Sequence, residues 1–121
     1  MAKTADELIA SVLQELGVTA ATQNPSAEDA ALIYDDSTSP PTGAWVSISA
    51  YLRKIKISSW TDNSIPDEVF DPLVDYVAIR VAAKFGVQFE NKAGESRMRL
   101  MALRAAVSQR YMGGSAEGQF Y

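Results

Sequence analysis

The stretch at residues 65–86, IPDEVFDPLVDYVAIRVAAKFG, restricts the fold of this chain more than any other. Its apolar residues recur at steps of three and four, which places them along one side of a helix. These residues are Phe70, Leu73, Val74, Val77, Val81 and Phe85. Pro66 and the acidic residues after it suit the first turn of a helix, and Gly86 suits its left-handed C-terminal cap. The pattern predicts one long central helix.

Two features of this helix leave alternatives open. Because Pro72 lacks a backbone donor, the helix begins either near Pro66 or after Asp71, with Pro72 as its first residue. A second set of apolar residues recurs every seven positions on another side; it consists of Val69, Tyr76 and Ala83. Two apolar sides are typical of a central helix in a small bundle, but also of a helix that contacts another subunit.

The first part of the chain predicts two shorter helices. Thr4 and Glu7 form a capping box ahead of an amphipathic helix over residues 4–16, which Gly17 ends. After a polar connection, a capping serine begins a second helix over residues 26–35. Both segments have the alternation of apolar and polar residues that a helix on the surface of a core requires.

The middle of the chain has the weakest pattern. Residues 36–43 contain two prolines and several turn-forming residues, which predicts a loop. Residues 44–54 fit a helix, although the alternation of their apolar residues also fits a strand. We predict the helix, followed by an extended segment over residues 54–58 and a turn into the central helix.

The last predicted helix, over residues 95–111, has apolar residues on two nearly opposite sides. One side carries Met98, Met101, Ala102 and Ala105, and the other carries Leu100, Leu103, Val107 and Tyr111. This pattern suits a helix that touches its own core and a partner, or one sandwiched within its own domain. Glycines end the helix, and the tail after them is tipped by Phe120 and Tyr121. Such a tail is either a disordered end or a docking peptide.

Together these patterns predict an all-α protein, a small bundle of four to five helices with a long central helix and an extended C-terminal tail. We expect one helical domain over residues 1–111 and a flexible docking tail over residues 112–121. A chain of 121 residues is long enough to bury one core. No apolar run approaches the length of a membrane span, and no signal-peptide pattern begins the chain.

The charges are divided unevenly along the chain, although the net charge is only −4. Residues 1–75 contain 12 acidic and four basic residues, whereas residues 76–121 contain seven basic and three acidic residues. Halves of opposite charge suit head-to-tail association of identical subunits. Helix dipoles and ordinary solvated faces also explain the division.

The composition excludes several kinds of chemistry, because the chain has no Cys and no His. Thiolate chemistry, disulfides and the usual zinc sites are excluded, and the commonest general base is missing. The main carboxylate cluster is a row on the central helix, formed by Asp67, Glu68, Asp71 and Asp75. This row suits a solvated acidic face, although Asp71 and Asp75 also fit a cation site or an acid–base pair. Glycine motifs that bind phosphates are absent, and we expect no cofactor.

Three segments together resemble the head-to-tail adaptors, or tail accessory factors, of tailed bacteriophages, in particular of short-tailed phages. The first is an N-terminal amphipathic helix, LIASVLQELGV, followed by the acidic, alanine-rich SAEDAAL. The second is a Trp-led turn into IPDEVFDPLVDYVAIRVAAKFG, and the third is the closing helix GESRMRLMALRAAVSQRY. The similarity covers most of residues 4–111. Residues 36–43 depart from the family, in which one long helix follows the acidic stretch, and they suggest an inserted loop or hairpin.

The resemblance implies a structural protein of the virion neck, made in the host cytoplasm and without catalytic activity. Members of that family form a dodecameric ring beneath the portal protein, which extends the DNA channel and supports tail or neck proteins. Double-stranded DNA then passes through without specific binding, and no membrane is involved. The resemblance implies that the last helix and the tail form the interface with other copies or with the portal. The residues expected there are Leu100, Leu103, Arg104, Val107, Arg110, Tyr111, Phe120 and Tyr121. The channel-facing acidic candidates are Asp67, Glu68, Asp71 and Asp75.

A second interpretation of the same residues is a small helical DNA-binding or regulatory protein. The arginines of the last helix are able to contact phosphates, but apolar residues alternate with them and the chain is acidic overall. This interpretation predicts a monomer or dimer whose affinity for DNA falls steeply with salt concentration. An adaptor, in contrast, has no appreciable affinity for DNA and binds a portal.

Overall fold

The computed structural model describes residues 3–19, 26–35, 37 and 39–116, with side chains as far as residue 108. Within these residues the chain forms five α-helices and no β-strand. The helices are α1 (Ala5–Glu15), α2 (Ala27–Ile33), α3 (Ala44–Lys54), α4 (Asp67–Val81) and α5 (Lys92–Ala116). A 3-10 turn, Ala82–Phe85, follows α4 directly. The predicted all-α bundle is confirmed.

The central helix α4 contacts α1, α3 and α5 and provides most of the core. Its predicted apolar side is buried from Phe70 to Val81, with Phe85 half-buried in the 3-10 turn. On the second side, Val69 and Tyr76 are buried within the same chain, whereas Ala83 is exposed. For Val69 and Tyr76, the prediction of a central helix in a small bundle is therefore correct. The alternative prediction, that these residues contact another subunit, is wrong.

Pro72 lies inside α4 instead of at its beginning. The helix begins at Asp67, so the predicted alternative start after Asp71 is wrong. A proline in the second turn removes only one backbone hydrogen bond. Val69 and Phe70 are both buried in the core, and their burial holds the turn ahead of the proline in helical conformation.

Helix α1 begins with the predicted capping box. The Glu7 backbone N–H donates to Thr4 Oγ1 at 3.3 Å, and the Thr4 backbone N–H donates to Glu7 Oε1 at 3.3 Å. The inward side of the helix is buried, and it consists of Leu8, Ile9, Val12 and Leu13. Gly17 ends α1 with a φ of 76°. The sequence prediction for this helix is confirmed.

The chain ahead of α1 pairs with the chain ahead of α4. Lys3 N–H donates to the Ile65 carbonyl at 2.7 Å, and Ile65 N–H donates to the Lys3 carbonyl at 2.9 Å. The Ala5 N–H also donates to the Asp62 carbonyl at 2.7 Å. These three bonds place the beginnings of α1 and α4 side by side, so that both helices cover the same core.

The loop between α2 and α3 closes as a short hairpin. Asp35 and Thr42 exchange two backbone hydrogen bonds, of 2.8 and 2.9 Å. The Ser37 hydroxyl and backbone N–H both donate to the Asp35 carboxylate, which lowers the pKa of this exposed carboxyl. Gly43 follows with a φ of 108°, and a β-carbon there would lie 2.6 Å from the Ile33 carbonyl oxygen. Only glycine fits this close approach.

The helix predicted over residues 44–54 is confirmed as α3, and the strand alternative is wrong. The extended segment predicted after it is wrong at its start, because the chain turns at Lys56 with a φ of 62°. Lys56 N–H donates to the Arg53 carbonyl at 3.0 Å, and Ile57 N–H donates to the Leu52 carbonyl at 2.9 Å. This pair of bonds is a Schellman motif. It turns Ile57 back into the core beside Leu52.

Helix α5 is longer at both ends than the predicted 95–111. It begins at Lys92, because the Asn91 side chain accepts a hydrogen bond from the Gly94 N–H at 3.2 Å and caps the first turn. Its backbone continues to Ala116 through the two glycines that were predicted to end it. Glycine weakens a helix without forbidding its dihedral angles, and no proline follows. The predicted boundary between residues 111 and 112 therefore lies inside α5.

Candidate assembly surfaces

One side of α5 packs against the core of its own chain. Leu103 is 0% exposed and Val107 is 7% exposed, while Leu100 is half-buried against the same cluster. All three were predicted to contact other copies or the portal. Their position against α4 assigns Leu103 and Val107 to the chain's own core instead, because side chains that are at most 7% exposed have almost no surface to offer a partner.

The opposite side of α5 is exposed and contains two large apolar side chains. Met98 is 67% exposed and Met101 is 65% exposed, more than any other large apolar residue with a described side chain. Ala102 and Ala105 are exposed beside them. The two-sided helix predicted from the sequence is therefore present, but the side available to a partner is the methionine side.

The arginines of α5 have two different roles. Arg99 is held by its own chain: it donates to the Asp75 carbonyl at 2.9 Å and lies 3.7 Å from the Glu95 carboxylate. Its guanidinium also lies 5.2 Å from the centre of the Phe89 ring. Arg97 and Arg104 are exposed, and no ion pair between described residues includes either of them. The outer face of α5 is defined here as Arg97, Met98, Met101, Arg104 and Ala105.

Among the predicted interface residues with described side chains, Arg104 is the one that lies on the outer face of α5. The side chains of Arg110 and Tyr111, and the whole of Phe120 and Tyr121, lie outside the described residues. The predictions for these four residues stay predictions. The sequence pattern identified Met98 and Met101 as an apolar side but did not assign them to the interface, because periodicity does not tell which of two sides a core will cover.

All four predicted acidic residues of α4 are exposed: Asp67, Glu68, Asp71 and Asp75. Asp71 and Asp75 line an open groove of about 340 Å³ between α4 and α1, together with Val74. Across the groove, α1 contributes Glu15 beside Ser11 and Gln14. We call this feature the acidic groove. Sequence analysis missed Glu15, although its place on the outward side of an amphipathic helix was a signal for it.

The cation-site hypothesis for Asp71 and Asp75 finds no support among the described residues, and the acid–base hypothesis stays a prediction. Among the described residues, no group of three or more acidic, histidine or cysteine side chains is arranged to hold a metal ion. The acidic groove is an exposed carboxylate surface between two helices.

In the described part of the chain, no helix has both the length and the apolar character required to cross a bilayer.

Asp62 is a further residue whose importance the sequence did not reveal. Its carboxylate accepts hydrogen bonds from Trp45 Nε1 at 3.0 Å and from the Tyr34 hydroxyl at 3.1 Å. A second groove, of about 240 Å³, lies over these three side chains and is bordered by Pro40 and Pro41. Because Asp62 connects α2, α3 and the segment ahead of α4, its role is structural.

Two exposed surfaces with different chemistry thus lie on this bundle, one basic and apolar on α5 and one acidic between α1 and α4. Comparison of the chain with known protein families, with characterised proteins and with solved structures finds no match.

Proposed function

We propose that this chain is a structural head-to-tail adaptor of a tailed bacteriophage, which forms a ring beneath the portal. In this role it extends the DNA channel and supports tail or neck proteins. The observation that supports the proposal most is the outer face of α5, where Met98 and Met101 are exposed on a helix whose other side is already buried. Exposed apolar side chains grouped on one face are typical of surfaces that bind other proteins.

The charges of the chain support the same function. The acidic residues of α4, which are Asp67, Glu68, Asp71 and Asp75, are all exposed. A ring that carries acidic residues toward its centre repels the DNA backbone, so DNA slides through without binding. In this proposal the chain has no catalytic activity and no cofactor, and its place is the virion neck.

Imaging tests this proposal directly. The purified chain, alone and mixed with the portal protein of the same phage, is examined by negative-stain electron microscopy and by light scattering after size exclusion. We expect a ring, dodecameric like that of the family it resembles, seated on the portal. The chain without portal is the control for self-assembly. A chain that neither binds portal nor forms rings at any concentration would contradict the proposal.

The C-terminal residues are assigned a role in docking to the portal. Deletion of residues 113–121 is expected to abolish binding to the portal ring while circular dichroism still reports a helical bundle. Phe120→Ser with Tyr121→Ser is the matched variant of full length, and it separates the aromatic side chains from the length of the chain. Normal docking by both variants would remove the C-terminal residues from the interface.

One observation favours the second candidate function, binding of DNA. Arg97 and Arg104 are exposed on the same side of α5, two helical turns apart, and neither belongs to an ion pair among the described residues. If they contact phosphates, the logarithm of the affinity falls with the logarithm of salt concentration by about 0.9 for each contact. Fluorescence anisotropy with a short labelled duplex measures this slope. Arg97→Gln with Arg104→Gln would reduce it by about two in a DNA-binding protein, whereas an adaptor shows no binding to reduce.

A further inference from the structure

We infer that the outer face of α5 in one copy binds the acidic groove between α1 and α4 in a second copy, so that identical chains join head to tail. The inference rests on the proposed function and goes beyond it. It names the two surfaces that meet, and it predicts an interface that depends on charge.

The outer face of α5 cannot reach the acidic groove of its own chain. Leu103 and Val107 hold the inner side of α5 in the core, and Arg99 fixes the same helix to the Asp75 carbonyl. At about 100° per residue, Met101 projects roughly 160° away from Leu103 around the helix. The methionines therefore point away from α4, and no described part of the chain covers them.

The two surfaces have opposite charge. Arg97 and Arg104 are on the outer face of α5, whereas Glu15, Asp71 and Asp75 line the groove. No ion pair among the described residues uses any of these five side chains. Each copy therefore carries two cations on one surface and three anions on another, all available to a partner. Complementary charge of this kind steers association and sets its register.

The methionines suit the shape of the groove more than its polarity. Most of the groove lining is polar, and Val74 is its one apolar residue. Methionine is unbranched and flexible, so Met98 and Met101 are suited to an open and irregular groove. Charge pairing therefore carries the contact, and the methionines add buried apolar area to it.

Because the two surfaces differ, the contact is heterologous. A heterologous contact closes into a ring when the rotation between copies allows it. The surfaces share no residue, so one copy is able to use both at once. The pairing also divides the acidic row of α4: Asp71 and Asp75 lie between copies, which leaves Asp67 and Glu68 as the channel-facing residues.

A pair of complementary charge reversals tests this contact. The face variant carries Arg97→Glu and Arg104→Glu, and the groove variant carries Asp71→Lys and Asp75→Lys. Each variant alone brings like charges together, so we expect self-association to weaken about tenfold or more in sedimentation velocity. Mixed in equal amounts, the two variants present opposite charges at every contact, and assembly is expected to return. High salt is expected to weaken wild-type assembly.

The controls make the outcome decisive. Arg53→Glu with Lys54→Glu reverses two exposed charges on α3, outside both surfaces, and is expected to leave assembly unchanged. Circular dichroism checks that each variant is folded. Normal assembly of the groove variant alone, failure of the mixture to assemble, or a wild-type chain that stays monomeric would overturn the pairing. Rings that persist on the portal in both variants would overturn the pairing and leave the adaptor function standing.

Discussion

Lys56 occupies a backbone position that glycine fills at the ends of α1 and of the 3-10 turn. Its φ of 62° lies in the left-handed region, which costs a residue with a β-carbon roughly 1–2 kcal/mol. The cost is offset locally by the two Schellman bonds and by burial of Ile57. Lys56 is itself exposed, so its side chain adds no packing.

Lys56→Gly is therefore expected to stabilise the protein by about 1 kcal/mol, because glycine adopts this conformation without steric strain. Urea denaturation followed by circular dichroism measures the change in the free energy of unfolding. Gly86→Ala is the opposite substitution and serves as the control. Gly86 has a φ of 74°, and a β-carbon there meets nothing within 4 Å, so the left-handed backbone conformation is the only source of strain. It should destabilise the protein by about 1 kcal/mol. Equal stability of all three proteins would contradict this account.

The Asp62 carboxylate accepts hydrogen bonds from two aromatic side chains. Asp62→Ala leaves the part-buried Trp45 indole N–H and the Tyr34 hydroxyl without this acceptor, which is expected to cost about 1–3 kcal/mol. Asp62→Asn retains one acceptor oxygen and should cost less. Urea denaturation followed by tryptophan fluorescence tests both, with exposed Asn63→Ala as a neighbouring control. A larger loss for Asn than for Ala would show that the hydrogen bonds do not account for the effect.

At the scale of the element, α5 shows why an amphipathic pattern alone does not identify an interface. Both sides of the helix are apolar, and both contain residues that a core accepts. The side that packs on α4 combines Leu103 and Val107 with Arg99, whose guanidinium bonds to the Asp75 carbonyl. This bond and the branched side chains make the leucine side the better fit to α4, so the methionines remain outside.

Truncation on the two sides of α5 should have very different effects. Leu103→Ala removes fully buried methyl groups and is expected to destabilise the chain by about 2–5 kcal/mol. Met101→Ala changes an exposed side chain and should alter the free energy of unfolding by no more than about 0.5 kcal/mol. Thermal or urea unfolding at low protein concentration, where copies do not associate, makes the comparison. Equal losses for the two variants would mean that α5 does not sit on α4 as described.

At the scale of the whole molecule, one core connects the helices. Residues of α1, α3, α4 and α5 belong to the same buried cluster, and Ile33 brings α2 into it. The backbone pairing of Lys3 with Ile65 also joins the N-terminal segment to the beginning of α4. A core that every helix shares leaves no part of the bundle with an independent source of stability.

We therefore expect a single cooperative unfolding transition. Fluorescence of Trp45 and Trp60 reports on α3 and the segment after it, whereas circular dichroism at 222 nm averages over all helices. The two probes should give the same midpoint and slope in urea. A separate early loss of helical signal, with fluorescence unchanged, would indicate that α5 unfolds by itself.

The fold class, the existence of the helices and most of their starting points follow from local sequence patterns. Capping residues, apolar spacing and left-handed glycines act within one or two turns of the chain, so they can be identified without tertiary information. The capping box at Thr4, the cap at Gly86 and the apolar side of α4 are all present as predicted.

Three features are visible only in the folded protein: which side of α5 is buried, how Val69 and Tyr76 are covered, and that Glu15 joins Asp71 and Asp75 in one groove. These outcomes depend on contacts between residues far apart in the chain, and periodicity contains no information about them. Local patterns specify which sides of a helix are apolar. Which of these sides is buried depends on how all of them pack together, because the core has room for only some of them. In this chain the methionine side of α5 remains exposed.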